Sequence, residues 1–542
     1  MEVRSACLGF LVTLITVVKL CNSELFTALV DLERVLYAED ELAKSLEDYI
    51  AAEEQRIATL KRVAEDYKRH SQSALQDITK HLSNPVNAFL LVKRFTSDWT
   101  QVQDLIQDNS ADIFFSNITD TLSKFPDQED LSGAAVALLR LQDTYDLQTE
   151  NLAKGKIEGV QYSPELSAED CFELGRVAYT QGDYYHTVLW MTESMALCDL
   201  ETTKTVDKAT ILDYLSFSLS MQGNTKAALN LTLELLQIDP THQRALGNKL
   251  YFEQALADAE AENEQESVNT EEGISFNKDE IINPRQYLGY RASEEFMTYE
   301  RLCRGEDAIP YEHAHKLTCQ YRSFHPLFIL TPLKEEVAYF DPFIAVYHNI
   351  LTDSEITKVK ELAGPRLFRS VVFDTTDTTP QMTPEQYRTS KTAWLDDRED
   401  QKILRISDKA RAAANLTLET AETLQVVNYG IGGHYEPHYD FARKDERTAF
   451  DPGSGNRIAT ALFYMSDVEA GGATVFSQLG VKLWPEKGSM ALWYNLKKSG
   501  EGAYWTRHAG CPVLTGSKWV CNKWFHERGQ EFIRPCSLNP EE

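Results

Sequence analysis

The sequence predicts a multidomain α+β protein, helical through its first half and rich in strands over its last third. Three observations predict it. Apolar residues fall at three-four spacing from Leu25 to about Gln107, with little Gly or Pro before Asn84-Pro85. A degenerate internal repeat occupies the region that follows. From Ala338 the pattern shifts to short β-rich runs, and Gly-rich turns dominate from Leu424 to Phe532. At 542 residues the chain exceeds what one core usually serves, so about three domains are expected.

The first residues, Met1-Glu-Val-Arg4, precede an apolar run from Leu8 to Val18 and the small-residue ending Cys21-Asn-Ser23. The run is too short to span a bilayer, so residues 1–23 are read as a secretory signal peptide. Residues 24–155 form a helical region in which Leu46, Ile50, Ile57, Leu60, Ala64 and Tyr67 share one face. That stripe fits either a local bundle or a dimerising coiled coil, with Glu53 interrupting the seam. Helical sequence continues through Gly133–Gln142, and the Gly and Pro of residues 155–164 mark a boundary.

The repeat spans residues 165–258. Its copies centre on Phe172-Glu-Leu-Gly175 and Asp213–Phe217, and their turn glycines, Gly182 and Gly223, stand 41 residues apart. Tetratricopeptide units recur about every 34 residues, so a longer loop between the copies is expected. Paired helices of this kind stack around a concave groove. Aromatics are dense here, Tyr179, Tyr184, Tyr214, Phe217 and Tyr251 among them, and flat rings receive an extended proline-rich ligand at little entropic cost.

Residues 259–335 begin with an acidic run, read as a solvated linker, and contain Cys303 and Cys319, which close a short loop and are expected to pair. Residues 336–538 hold the β-rich region. It opens with Phe343–Tyr347, helices are expected at Asp353–Leu362 and about Glu399–Ala414, and an all-β barrel or sandwich follows.

A formal net charge of −29 disfavours nucleic acid and anionic membranes as partners. No other segment approaches eighteen apolar residues in a row, so no membrane span is expected in the mature chain. Nine cysteines less Cys7 and Cys21 leave an odd number after signal cleavage, so at least one has no intrachain partner in an oxidising lumen. Asn117-Ile-Thr is read as a glycan acceptor; Asn230-Leu-Thr and Asn415-Leu-Thr lie in helical-looking sequence and are left unassigned.

The chemistry lies in residues 424–532. In an extended strand His438 and Asp440 project to one face, and His508 from another strand would complete a two-histidine, one-carboxylate set with open positions for iron chemistry. Lys518, flanked by Leu514, Trp519 and Val520, is placed to be a buried cation for the far carboxylate of a 2-oxoacid. Tyr429 and Thr474 can donate hydroxyl hydrogen bonds to that carboxylate.

His438-x-Asp440, Gly471-Gly-Ala-Thr474-Val-Phe, His508 and Lys518, in this order, resemble the Fe(II) and 2-oxoglutarate dioxygenases. Ala134–Tyr145, Asp183-Tyr-Tyr-His186, Tyr464–Thr474 and Asn522–Phe532 extend the resemblance to the collagen prolyl 4-hydroxylase alpha subunits, over essentially all of residues 24–536. The resemblance implies a double-stranded β-helix (jelly roll) with iron on His438, Asp440 and His508. It implies 2-oxoglutarate held by Lys518 in a pocket lined by Tyr429, Thr474 and Trp524, with His526 near the cosubstrate and Tyr435 and Arg457 near the peptidyl proline. The repeat would be the peptide-substrate domain, with Tyr179, Asp213, Tyr214, Phe217, Arg244, Asn248 and Tyr251 along its groove. Phe217 and Ser220 stand where tyrosines are usual.

The family's disulfides correspond to Cys303 with Cys319 and Cys511 with Cys536, whereas Cys198 and Cys521 look like additions. The implied protein is an endoplasmic reticulum enzyme that 4-hydroxylates proline before glycine in procollagen-like chains. It would use Fe(II), 2-oxoglutarate, oxygen and ascorbate, yield succinate and carbon dioxide, and assemble with protein disulfide isomerase as an alpha2beta2 tetramer. Two readings compete: an inert collagen-binding adaptor, and an oxygenase acting on another residue such as lysine.

Overall fold

The computed structural model describes residues 25–82, 84–107, 110–122, 125–262, 281–283, 289–370, 388–446 and 450–542. Residues 1–23, where a signal peptide is expected, and most of the acidic run lie outside the described residues. The chain divides into two compact units, Val30–Asp127 and the remainder.

In the smaller unit a 48-residue helix, α1 (Leu29–Gln76), dominates. Asn84 caps the helix α2 (Pro85–Lys93) by accepting from the Val86 N–H, with proline at the position where a missing donor costs nothing. Tyr67 of α1 packs edge-on against Phe95 and Trp99, and Tyr49 lies tilted against Phe114, so α3 (Trp99–Gln107) and α4 (Ser110–Leu122) fold back onto α1. These are bundle contacts. They leave Leu46, Ile50 and Ile57 between 44% and 48% exposed, so the stripe is only partly covered within the unit.

The larger unit claims α5 (Gln128–Tyr145), which the sequence groups with the N-terminal helices. Asp130, Gln142 and Thr144 are buried along with its apolar residues, so it is a core helix rather than a surface one. On one side Trp190 donates to the Gln142 carboxamide oxygen at 3.0 Å, and the buried His186 ring lies between Asp143 and Asp183. On the other side Arg140 donates to the Gly432 carbonyl oxygen at 3.3 Å. Residues 25–28 reach the same turn, where the Ile431 N–H donates to the Phe26 carbonyl oxygen.

Five helices build the repeat: α6 (Ala168–Thr180), α7 (Tyr184–Leu200), α8 (Lys208–Met221), α9 (Thr225–Ile238) and α10 (Gln243–Glu262). A capping box between Ser167 and Asp170 starts α6. Gly182 and Gly223 end the first helix of each pair at φ +75° and +84°, a conformation that costs glycine least. Helix α11 (Glu294–Cys303) then leads into the sheets.

Apart from a short hairpin of Lys156–Ile157 with Val160–Gln161, the strands are β1 (Cys319–Arg322), β2 (Leu333–Tyr339), β3 (Ile344–His348), β4 (Phe368–Arg369), β5 (Ser390–Leu395), β6 (Leu424–Tyr429), β7 (Tyr435–His438) and β8 (Arg457–Tyr464). There follow β9 (Ala470–Gly471), β10 (Thr474–Phe476), β11 (Val481–Leu483), β12 (Met490–Tyr494), β13 (His508–Gly510), β14 (Val513–Thr515) and β15 (Trp519–His526). A nine-stranded sheet runs β1-β2-β3-β12-β8-β15-β6-β5-β4 and a four-stranded sheet β11-β10-β13-β7, with every pairing antiparallel. Side chains from both sheets, including Val427, Leu462, Phe476, Leu483 and Trp493, share one apolar cluster. The expected helices are present as α12 (Asp353–Ala363) and α13 (Gln401–Ala414).

The cysteine pairing differs from the expectation. Cys303 bonds to Cys511, 208 residues away, while Cys319 and Cys536 are exposed free thiols. The cause is packing. Helix α11 buries Phe296, Tyr299 and Leu302 with Val475 and Ala509 of the small sheet, which carries Cys303 to Cys511, whereas Cys319 sits in the fully exposed edge strand β1.

Candidate metal centre and peptide groove

Strands β7 and β13 are antiparallel neighbours in register His508↔His438, so the two rings meet across the ladder. Asp440 follows two residues after His438, just beyond the strand. One ligand atom from each of the three lies within 4.8 Å of the others, the one such grouping of three metal-capable side chains found among the described residues. Each imidazole has its Nδ1 on a backbone carbonyl, Glu436 for His438 at 2.7 Å and Thr506 for His508 at 3.0 Å. That hydrogen bond fixes the proton on Nδ1 and leaves the Nε2 lone pair for a cation.

Asp440 accepts from the Thr460 hydroxyl at 2.7 Å and from the Trp524 indole N–H at 3.1 Å. Burial opposes its ionisation, but His508, His438, Arg457 and the Thr460 hydrogen bond hold its carboxyl down at about 2. Burial and the neighbouring His508 push His438 well below its usual value, which keeps it neutral. A carboxylate beside two imidazoles, each held through its Nδ1, is a donor set that Fe(II) accepts.

Lys518 is 2% exposed, and its Nζ lies 4.7 Å from the centre of the Tyr429 ring. Burial alone lowers it to about 7, and no carboxylate pairs with it among the described residues. A buried cation without an anion is the complement of a dicarboxylate cosubstrate. Thr474 is buried and receives the Tyr464 hydroxyl at 2.8 Å.

Arg457 and His526 converge on Glu422, which the sequence reading did not single out. The guanidinium donates to both Glu422 oxygens and lies 3.9 Å from the Trp524 ring centre; His526 reaches Glu422 at 2.9 Å and the Gly455 carbonyl at 2.6 Å. Both His526 ring nitrogens are therefore engaged. Arg388, also unforeseen, is buried with its guanidinium 4.7 Å from the centre of the Tyr435 ring, and that ring stacks on His438 with centroids 3.6 Å apart.

In the repeat, Tyr179 (α6), Asp213, Tyr214 and Phe217 (α8) and Arg244 (α10) come together. Arg244 donates to Asp213 at 2.9 Å and to the Tyr179 hydroxyl at 2.5 Å, and lies 5.0 Å from the Phe217 ring centre. Asp213 Oδ1 and Asn248 Nδ2 are buried without a hydrogen-bond partner. Unsatisfied groups beside half-buried aromatic rings suit a peptide backbone.

Three family models match the chain: the prolyl 4-hydroxylase alpha-subunit N-terminal region at residues 28–159, the prolyl 4-hydroxylase peptide-substrate-binding domain at 168–258, and the 2OG-Fe(II) oxygenase superfamily at 424–526. Prolyl 4-hydroxylase subunit alpha-1 of Rattus norvegicus is 47% identical over 518 residues, covering 95% of this chain and 96% of the relative. Subunit alpha-1 of Homo sapiens is 46% identical over 524 residues, covering 96% and 97%. Subunit alpha-2 of Caenorhabditis elegans is 44% identical over 528 residues, covering 96% and 95%.

Fold, site and likeness together define an Fe(II)- and 2-oxoglutarate-dependent dioxygenase, built as a C-terminal sheet-rich oxygenase region behind two helical ones. More narrowly, the chain belongs to the prolyl 4-hydroxylase alpha-subunit family.

Proposed function

We propose that this chain is the catalytic subunit of a procollagen-proline 4-dioxygenase, hydroxylating C4 of prolines that precede glycine in X-Pro-Gly repeats. The carrying observation is the meeting of His438, Asp440 and His508, with the buried Lys518 close by: its Nζ lies 3.7 Å from where a Cβ on Gly510, in the His508 strand, would stand. The two antiparallel sheets are read as a double-stranded β-helix. His438, Asp440 and His508 hold iron, and Lys518 takes the far carboxylate of 2-oxoglutarate, with Tyr429 and Thr474 beside it. When bound, iron would activate dioxygen with two electrons from 2-oxoglutarate, which would leave as succinate and carbon dioxide, while ascorbate would keep the metal reduced.

The protein's own part is orientation and exclusion of water. Thr460 and Trp524 hold the Asp440 carboxylate, Tyr435 braces the His438 ring, and Glu422 positions Arg457 where the proline substrate would lie and His526 near the cosubstrate. Tyr179, Asp213, Tyr214, Phe217, Arg244, Asn248 and Tyr251 grip the peptide upstream of the reacting residue. Phe217 keeps a ring for proline but offers no hydroxyl, so its contribution is packing.

The reading places the protein in the endoplasmic reticulum lumen, with a glycan at Asn117, as the alpha subunit of an alpha2beta2 assembly with protein disulfide isomerase. The incompletely covered stripe on α1 supports self-association of the N-terminal helices. No described helix is long and apolar enough to cross a membrane. Mass spectrometry of a Pro-Pro-Gly repeat peptide after reaction with the purified complex tests the substrate. The expected product carries oxygen on the proline before glycine; a peptide left unmodified while a lysine-containing one is hydroxylated contradicts it.

A further inference from the structure

Helix α13 ends at Ala414, and Asn415 is its C-cap at φ 49° and ψ 48°. This left-handed conformation is one that asparagine tolerates better than other side-chain-bearing residues. The Asn415 and Leu416 N–H groups both donate to the Arg411 carbonyl oxygen, which closes the helix end. Leu416 is buried at 3% exposure, and Thr417 is clamped: its N–H donates to the Gln530 carboxamide oxygen at 2.9 Å and its hydroxyl to the Gly529 carbonyl at 3.3 Å. The backbone around Asn415 is therefore fixed. Its side chain is exposed and makes no hydrogen bond among the described residues.

Asn415-Leu-Thr417 is an acceptor sequence for N-linked sugar. The two other acceptor sequences lie within helices. Asn117 is inside α4, and Asn230 is inside α9, where Thr232 is fully buried with its hydroxyl on the Ala228 carbonyl. Transfer occurs on the extended chain, so what the fold must supply is solvent for a bulky substituent. Asn415 supplies it: it is exposed at the end of α13, where no further helical turn follows.

We propose that Asn415 carries an N-linked glycan, a modification that rests on the luminal placement argued above. In that step the Asn415 amide nitrogen bonds to the anomeric carbon of an oligosaccharide, displacing its lipid pyrophosphate carrier and losing one amide proton. The sugar then stands at the end of α13, at the start of the segment that leads to Glu422, without touching the metal ligands.

The test uses the full chain co-produced with its disulfide-isomerase partner in a secretory eukaryotic host. Glycans are removed enzymatically in heavy-oxygen water, and the tryptic peptide from Ala412 to Arg443 is weighed. The expected result is a heavy-labelled aspartate at position 415. Asn415→Gln, and Asn415→Gly, which suits the left-handed backbone and so guards against misfolding, should each migrate one glycan lighter than the parent before deglycosylation. An unmodified Asn415 on a chain that is labelled at Asn117 or Asn230 overturns the inference alone. A chain with no glycan at any position overturns the luminal placement and the inference with it.

Discussion

The Tyr145 hydroxyl donates to the Pro512 carbonyl oxygen at 2.5 Å, tying α5 to the turn that follows the His508 strand across 367 residues of sequence. Gly471 makes room for this bond. It adopts φ +77°, and a Cβ there would collide with the Tyr145 hydroxyl and the Pro512 carbonyl. Because the Gly472 N–H also reaches the Pro512 oxygen at 2.9 Å, Tyr145→Phe leaves that acceptor satisfied. The expected cost is about 1 kcal/mol, read as a lower thermal midpoint, with turnover per folded molecule unchanged.

Thr460 links Asn495 to Asp440 through one hydroxyl, accepting at 2.9 Å and donating at 2.7 Å. Thr460→Val removes the donor that orients the carboxylate while leaving all three ligands in place. Iron affinity should fall roughly 10- to 100-fold, measured by competition with a chelator. Unchanged affinity would show that Trp524 alone sets the carboxylate.

Lys518 titrates near 7 in the ligand-free protein, because burial disfavours the ammonium. In the proposed pairing the cosubstrate carboxylate needs that ammonium. KM for 2-oxoglutarate should therefore be flat below about 7 and rise toward tenfold per pH unit above it, with kcat little changed. The folded-state value lies below the unfolded value of about 10.4, so between these limits the unfolded chain binds more protons and the ligand-free fold gains stability as pH rises. Lys518→Met should abolish both effects, and a pH-independent KM would contradict the pairing.

Asn248 Nδ2 is buried without a partner beside the aromatic groove. If it donates to a peptide carbonyl, Asn248→Ala costs about 1 kcal/mol of peptide binding. The signature is a raised KM for the proline-rich peptide with KM for 2-oxoglutarate and kcat preserved. A fall in kcat alone would move Asn248 out of the groove.

Cys303 and Cys511 join α11 to the end of the strand that carries His508. Peptide mapping without reduction should recover this linkage rather than Cys303 with Cys319. The Cys303→Ala/Cys511→Ala pair should lose about 2–5 kcal/mol of stability, seen as earlier thermal unfolding.

The iron triad was legible because its information is local. A His-x-Asp pair at strand spacing needs one distant partner, and Lys518 betrays itself by apolar neighbours. Helix identity was legible through periodicity, as α12 and α13 demonstrate within a residue or two. What tertiary packing decides was not. The Cys303–Cys511 bond depends on how α11 seats on the small sheet, and the short spacing to Cys319 pointed elsewhere. Glu422 and Arg388 look like ordinary charges at strand approaches until the fold brings Glu422 against Arg457 and Arg388 against Tyr435. For α5 a signal existed: Gly133–Leu139 is nearly free of charge, as a helix buried on several sides requires.

The most direct measurement is succinate release from 2-oxoglutarate by the purified complex with a Pro-Pro-Gly repeat peptide, comparing the parent with Asp440→Ala at matched folding. The parent should release succinate in step with hydroxyproline, and the variant should retain neither iron nor turnover. Equal turnover by Asp440→Ala, or a parent that binds peptide and iron yet releases no succinate, would contradict the account.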